Sequence, residues 1–212
     1  MSLAQLRKEY GDRPLLESRS PADPLVLFRR WMKLAVATAD LLEPTAMSLA
    51  TADSSGRPAV RFVLLKGADA SGFLFFTHFS SRKGRELDAR RRAALALWWP
   101  PLERQIRIEG RISRANDRES DRYFAQRPRA AQLGAWASPQ SRVIGSRLEL
   151  EQRNARVTAR FEGTEVPRPP SWGGYWLTPL MIEFWQGRRS RLHDRLRYTR
   201  RSAGWVRDRL AP

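Results

Sequence analysis

The sequence predicts a mainly β protein, with antiparallel strands curled around a barrel-like core and helices on its flanks. Short runs rich in β-branched and aromatic residues recur along the chain, with Gly, Ser and Pro at their joints. Helical stretches interrupt these runs without the regular strand–helix–strand alternation of a doubly wound sheet. The 212 residues, 42% hydrophobic and with eight Trp, suffice to bury a core without cross-links.

Residues 1–20 mix charges without a period and are expected to form a flexible arm ahead of a single domain, 21–212. "SPADPLVLFRRWMKLAVATADLLE" reads as an amphipathic helix. Asp23 caps it and Pro24 suits its first position. Leu25, Phe28, Trp31, Met32 and Ala35 fall on one face, which packs into the core. Three strands follow: "AMSLATA" (46–52), "AVRFVLLKG" (59–67) and "SGFLFFTH" (71–78), the first two joined by the turn "DSSGRP". "SSRKGRELDARRRA" (80–93) is a short helix opening on Ser. "ALALWW" (94–99) and "ERQIRIEGRISRA" (103–115) are strands again. In the latter, Ile106, Ile108 and Ile112 alternate with polar residues, as on a half-buried strand. Residues 117–136 and 144–161 read as helices, and "EVPRPPSWGG" (165–174) as a loop. Three late strands complete the set: "YWLTPLMIEFWQG", "RLHDRLRYTR" and "GWVRDRLAP".

Cys is absent, which excludes disulfides, thiolate metal sites and a Cys nucleophile. Only two histidines, His78 and His193, are present, so a metal centre would need carboxylates, and none is predicted. No apolar run is long enough to span a bilayer. The N-terminal "MSLAQLRKEYGDRP" lacks an apolar signal core, so a cytoplasmic protein without a membrane partner is expected. The net charge of +17 raises the question of nucleic acid. Its arginines are scattered over the whole length, however, and only four of the 39 Lys and Arg are lysines. The pattern reads as a wet, Arg-rich surface with anions bound at a few points, and no nucleic-acid partner is expected.

Four stretches can carry chemistry. In "RFVLLK", Arg61, Val63 and Leu65 point one way, and Phe62, Leu64 and Lys66 the other. Lys66 is either a solvated strand end or meets an anion. In "THFSSRKGRE" a strand ends at Thr77 and a helix begins near Ser80 or Ser81. Arg82 and Lys83 then sit at the positive end of the helix dipole, which favours a bound anion. Tyr123 and Arg127, four apart, form either a surface pair or a phosphate site. "FWQGRRSRLHDR" reads as a turn into a return strand on which Arg191, His193 and Arg195 share a face. The arginines depress the tendency of His193 to charge. There is no G-x-S-x-G, P-loop, G-x-G-x-x-G or metal triad. Several anion sites without a nucleophile suggest that a cofactor carries the reaction.

Taken together, "PADPL", "EPTAM", "RFVLLKG", "SRKGREL", "ERQIRIEG", "YFAQRPR", "WGGYWL", "IEFWQG", "RLHDRLRY" and "DRLAP" resemble the pyridoxine/pyridoxamine 5′-phosphate oxidase family over nearly the full length. The resemblance implies an FMN-binding split β-barrel and a homodimer with FMN at the subunit interface. It implies oxidation of pyridoxine and pyridoxamine 5′-phosphates to pyridoxal 5′-phosphate, with hydride passing from C4′ to flavin N5 and dioxygen reduced to hydrogen peroxide. Carried over by position, FMN contacts would come from Arg61, Phe62, Val63, Leu64, Leu65, Lys66, Phe76, Thr77, Arg82, Lys83, Gln105, Gln140, Ser141, Trp185 and Arg195. Substrate would meet Arg7, Tyr10, Lys66, Tyr123, Arg127, Arg191 and His193, the last two lying against the pyridine ring in orienting and electrostatic roles. Two positions depart from the family pattern: Ala131 stands where Ser is common, and Phe76 where Tyr is frequent. Three other readings are a related flavin oxidase acting on a phenazine precursor, a flavin carrier without turnover, and a basic nucleic-acid-binding protein. The last would show a clustered basic stripe with exposed aromatics.

Overall fold

A computed structural model describes residues 2–5 and 9–212. Arg7, assigned to substrate by resemblance, lies outside the described residues. One antiparallel sheet runs in the order β2-β1-β5-β6-β7-β4-β3. Its strands are β1 (Ala46–Ala52), β2 (Pro58–Leu64), β3 (Gly67–Asp69), β4 (Gly72–His78), β5 (Arg92–Trp99), β6 (Arg104–Arg114) and β7 (Trp172–Gln186). β8 (Asp194–Arg201) and β9 (Gly204–Leu210) branch from β7. β7 pairs with β6 along nearly its whole length. Its other edge pairs first with β4, through Trp172–Leu177, and then with β8, through Met181–Gln186. This shared strand, with a register shift at Glu109/Gly110 on its partner, lets the sheet curl into a half-barrel.

Alternation places Met47, Leu49, Leu95, Leu97, Ile106, Ile108 and Phe184 inside. Helix α1 (Pro24–Val36) plugs this interior. Asp23 accepts the Leu25 amide at 2.8 Å, and Phe28 and Trp31 meet Phe73 and Phe184 edge-on at 4.9 and 5.2 Å. Leu27 joins the buried face, while Leu25 and Met32 stay at its margin. Helix α2 (Arg82–Arg90) starts at Ser81, whose Oγ accepts the Gly84 amide. Helices α3 (Asp117–Ala125), α4 (Arg129–Ala137) and α5 (Arg147–Arg160) share a second, smaller core with Phe124, Leu133, Phe161, Val166 and Trp172. Among the described residues, no helix is long and apolar enough to cross a membrane.

Several boundaries differ from the sequence reading, and the strand expected over 59–67 ends at Leu64, with Gly67 opening β3. The helix predicted over 117–136 is two, α3 and α4, because Pro128 offers no amide hydrogen and disfavours helical backbone at Arg127. The loop predicted to Gly174 stops sooner, because Trp172, Gly173 and Gly174 already pair with β4. A Cβ on Gly174 would lie 2.8 Å from Ala115 Cβ and 2.9 Å from Phe76 Cε1, so the glycine is needed for that close approach. The return strand begins at Asp194, not Arg191, because Ser190 and Arg191 both take left-handed conformations, with φ of 55° and 62°. Arg191 and His193 therefore precede the strand and share no strand face with Arg195.

β2 inverts the usual pattern: Val60 and Phe62 point outward, 69% and 78% exposed, while Arg61 points inward. The register continues this outer face across the sheet, through Ala46, Ser48 and Ala50 on β1 and Ala94, Ala96 and Trp98 on β5. It goes on through Gln105 and Arg107 on β6, Trp185 on β7 and Arg195 on β8. The result is an apolar stripe beside a shallow floor of small residues.

The segment before α1 runs against the body. The Gly11 amide donates to Glu103 at 2.7 Å, the Leu15 amide donates to Asp194 at 3.0 Å, and Glu17 pairs with Arg209 at 2.7 Å.

Replacing Gly174 by Ala should destabilise the protein by about 1–3 kcal/mol through overpacking. A urea titration checks this, and an unchanged midpoint would contradict the close approach.

Candidate active site

One cluster of predicted residues gathers where β2, β4 and α2 meet. Arg61 donates to Thr51 Oγ1 at 2.5 Å, to the Leu49 carbonyl at 3.2 Å and to Glu86 at 3.1 Å. Thr77 donates to Gln140 Oε1 at 2.9 Å. Lys83 Nζ lies 3.0 Å from the same Gln140 oxygen and 3.3 Å from Thr77 Oγ1. Both hydrogen-bond partners of this half-buried ammonium are neutral. Burial, followed by repulsion from Arg61, holds Lys83 below its ordinary pKa, with Glu86 opposing. A group in that state gains from a bound anion. Ser141, next to Gln140, is exposed with φ of 70°.

Tyr123 lies on this side as well, its ring stacked on Phe76 at 4.1 Å. Phe76 stacks in turn on Trp172 at 5.3 Å. The ring of Phe76 thus has a packing role that needs no hydroxyl. Arg127 sits just past the end of α3, its amide bonded to the Phe124 carbonyl and its guanidinium 4.8 Å from the Trp172 ring centre. Its Nη1 is buried and has no hydrogen-bond partner. Burial lowers the Arg127 pKa, with Tyr123 opposing. His78, also buried, is held below its ordinary value by burial first, then by Arg127 and Lys83. Several cationic groups therefore converge here, and two of them, Lys83 and Arg127, have no carboxylate partner among the described residues. Ala131 lies on the first turn of α4, its amide bonded to the Pro128 carbonyl. Lys66 follows β2, its amide on the Leu74 carbonyl and its side chain exposed.

A second cluster forms on the outer sheet face at the far end of β7. Gln105 is in register with both Trp98 and Trp185, and Trp185 with Arg195. The Trp185 ring lies 5.8 Å from Trp98, 5.6 Å from Tyr10 and 4.6 Å from His193. Tyr10 meets His193 edge-on at 5.3 Å, with the Arg191 guanidinium 5.9 Å from the Tyr10 ring. Gly187 makes this fit possible, since a Cβ there would lie 2.8 Å from Tyr10 Cδ1. His193 Nδ1 accepts the Arg188 amide hydrogen at 3.1 Å, so in the neutral ring the proton resides on Nε2. Burial, then Arg191, lower the His193 pKa.

Two buried carboxylates that the sequence reading did not single out hold the arginines. Glu86 accepts from Thr51, Arg82 and Arg61; burial alone would raise its pKa, and these bonds overcome that and lower it. Glu183 accepts from Arg107 at 3.1 Å and Arg195 at 2.8 Å. The signals were present: Arg82 and Glu86 are four apart on a helix, and Glu183 interrupts an apolar strand between Ile182 and Phe184. Arg82, placed at the positive end of α2, is thus balanced by Glu86 in the protein itself.

The two clusters do not meet within one chain through the sheet. Gly173 is in register with Thr77, and Trp185 is twelve residues further along the same strand, roughly 40 Å of contour.

Both histidines bind protons less readily in the folded protein than the ordinary value of 6.5 implies. The unfolded chain therefore takes up more protons below that value. Their contribution to stability is complete above about pH 6.5 and is lost as pH falls below it. Thermal midpoints at pH 7.5 and 5.5 should show the lower value at 5.5, and His78→Asn should flatten that difference. Carboxylates such as Glu17, with a pKa lowered to about 2, titrate further down.

Comparison with known proteins agrees with this geometry. Residues 35–161 match the family described as pyridoxamine 5′-phosphate oxidase. Residues 172–212 match the pyridoxine 5′-phosphate oxidase C-terminal dimerisation region. A pyridoxine/pyridoxamine 5′-phosphate oxidase of Rubrobacter xylanophilus is 55% identical over 99% of this chain and 96% of its own. One from Ectopseudomonas mendocina is 53% identical over 100% and 99%. Among solved structures, PhzG from Burkholderia lata, in complex with tetrahydrophenazine-1-carboxylic acid, superposes with a TM-score of 0.88. It is 35% identical, covering 95% of this chain and 99% of that one. An FMN-binding protein of Nostoc punctiforme, 19% identical with a TM-score of 0.70 over 87% and 97%, shares the fold. With its half-barrel, its dimerisation region and relatives matched end to end, the chain belongs to the pyridoxine/pyridoxamine 5′-phosphate oxidase family of oxidoreductases.

Proposed function

We propose that this protein binds FMN and oxidises pyridoxine 5′-phosphate and pyridoxamine 5′-phosphate to pyridoxal 5′-phosphate. The observation that carries the reading is the pair of unsatisfied cations. Lys83 has only neutral hydrogen-bond partners, and Arg127 keeps a buried Nη1 without one. Two phosphomonoesters, one on the cofactor and one on the substrate, match two such groups. The residues fit FMN: Arg61, Arg82 and Lys83 offer charge for its phosphate, and Trp185 with Arg195 offers a flat apolar wall beside a guanidinium.

Because the clusters lie at opposite ends of β7, one complete site requires two chains. A twofold pairing of the outer sheet faces covers the Val60, Phe62 and Leu64 stripe. It also brings the Gln105, Trp185 and Arg195 cluster of one protomer to the Arg61, Thr77 and Lys83 cluster of its partner.

In the assembled site the flavin supplies hydride acceptance at N5 from substrate C4′ and reoxidation by dioxygen to hydrogen peroxide. The protein's part is positioning. Arg127, Tyr123 and Lys66 anchor the substrate phosphate. Arg191 and His193 face its ring, where neutral His193 presents an Nε2–H donor while Arg188 occupies its Nδ1. Water then hydrolyses the imine formed from the amine substrate, giving the aldehyde and releasing ammonia. Ala131 offers no hydroxyl to the phosphate, so Arg127 and Tyr123 carry more of the anchoring. The second reading, a phenazine-type substrate, is favoured by the likeness to PhzG. FMN answers Lys83 under either reading, and a phosphomonoester substrate accounts better for the buried, unpartnered Nη1 of Arg127.

A visible spectrum decides the matter. Anaerobic pyridoxine 5′-phosphate should bleach the yellow protein, and air should restore its colour. A yellow protein that does not bleach would sink the substrate assignment. Arg191→Ala should lower kcat/KM by about 10²-fold or more while flavin is retained; equal loss of flavin would overturn its role. Phe62→Asp should shift the dimer toward monomer in analytical ultracentrifugation and release flavin with it. A flavin-loaded monomer would contradict the shared site.

A further inference from the structure

We propose, resting on the function given above, that Arg188 is a positioning residue whose guanidinium seats the segment before α1, and Tyr10 with it, against His193. Arg188 reaches both sides of this contact. Its backbone amide donates to His193 Nδ1 at 3.1 Å. Its side chain turns to Asp12: Nη2 lies 2.9 Å from Oδ1, and Nη1 donates to the Asp12 carbonyl at 3.4 Å. Asp194, the residue after His193, stands 3.7 Å from the same Nη1. The Arg188 side chain is 26% exposed and that of Asp12 58%, so the guanidinium is the fixed member and the segment docks on it.

Tyr10 lies two residues before Asp12, and its ring meets His193 at 5.3 Å and Trp185 at 5.6 Å. Ring contacts of this kind are weak singly. The neighbouring bonds, from the Gly11 amide to Glu103 and from the Leu15 amide to Asp194, use backbone donors of the segment. The Asp12 carboxylate adds an attachment that depends on a side chain, where the segment meets the turn after β7. The turn itself cannot easily follow a displaced partner. Ser190 and Arg191 hold left-handed conformations that non-glycine residues keep only when their surroundings fix them. The Arg188–His193 bond and the Leu192 amide on the Arg189 carbonyl close the turn, at 3.1 Å each. One residue therefore ties the placement of Tyr10 to the turn that carries Arg191 and His193. Neither Asp12 nor Arg188 belongs to the set that the resemblance assigns to cofactor or substrate.

The test uses flavin-loaded protein. Without substrate, chymotrypsin should cut after Tyr10 about fivefold faster in Arg188→Ala and in Asp12→Ala, since each removes a partly exposed ion pair that holds the segment closed. The KM for pyridoxine 5′-phosphate should rise by a similar factor, while kcat and flavin absorbance stay within about twofold. The double variant should be no worse than either single one, and Arg188→Lys should recover most of the loss. Unchanged cleavage in both single variants would overturn the proposal. So would effects that multiply in the double variant, or a fall in kcat with KM unchanged. Should Arg188→Ala release flavin, Asp12→Ala, on the segment itself, decides alone by the same cleavage rate. Faster cleavage in both variants of a protein that turns over neither pyridoxine nor pyridoxamine 5′-phosphate would uphold the seating role and sink the function instead.

Discussion

The architecture hangs on one strand. β7 has 15 residues and two edges, and its second edge is divided between β4 and β8. Each neighbour is long enough to satisfy only part of it. The backbone donors and acceptors of a buried strand must all find partners, so the sheet has to branch there. That branching curls the half-barrel around α1. It also sets the anion-receptive cluster and the aromatic cluster at the two ends of a single rigid element. That rigid separation is the reason the proposed site draws its residues from two copies of the chain.

Electrostatics divides the arginines into two kinds. Arg61, Arg82, Arg107 and Arg195 are oriented by the buried carboxylates Glu86 and Glu183. Paired in this way, they are held in place before any ligand arrives, and the desolvation of each acid is offset by two or more bonds. Lys83 and Arg127 are the other kind: partly buried, with lowered pKa and, among the described residues, no ion pair to a carboxylate. In the proposed site the first set supplies geometry and the second supplies affinity. Charge alone, at +17, would have suggested a nucleic-acid binder. The pairing pattern shows how much of it is absorbed internally.

Much of this was legible in the sequence, for physical reasons. Alternation of Ile106 and Ile108 with polar neighbours marks β6, and Asp23-Pro24 marks the start of α1, because these are local preferences. The cation-rich start of α2 is answered only in part within the chain, since Arg82 pairs with Glu86 while Lys83 has neutral hydrogen-bond partners. The α3–α4 break was readable at Pro128 but masked by the helical pattern on either side. The start of β8 was not readable, since nothing in "RRSRLHD" announces two successive left-handed residues without glycine. Glu86 and Glu183 were missed because their role depends on partners far away in sequence, Thr51 and Arg61 for one, Arg107 and Arg195 for the other.

The late position of β7 has a consequence for how the protein is made. β4 ends at His78 and its partner begins at Trp172. At typical elongation speeds of about 5–20 residues per second, the ribosome needs on the order of 10 s to cover that interval. Throughout it β4 presents an open edge, joined by β6 once that strand has been made. The nascent chain therefore passes through a stage of open strand edges that ends when β7 emerges. Early release or stalling between α5 and β7 would leave exposed a surface suited to pairing with other copies, so chaperone demand should concentrate in that window.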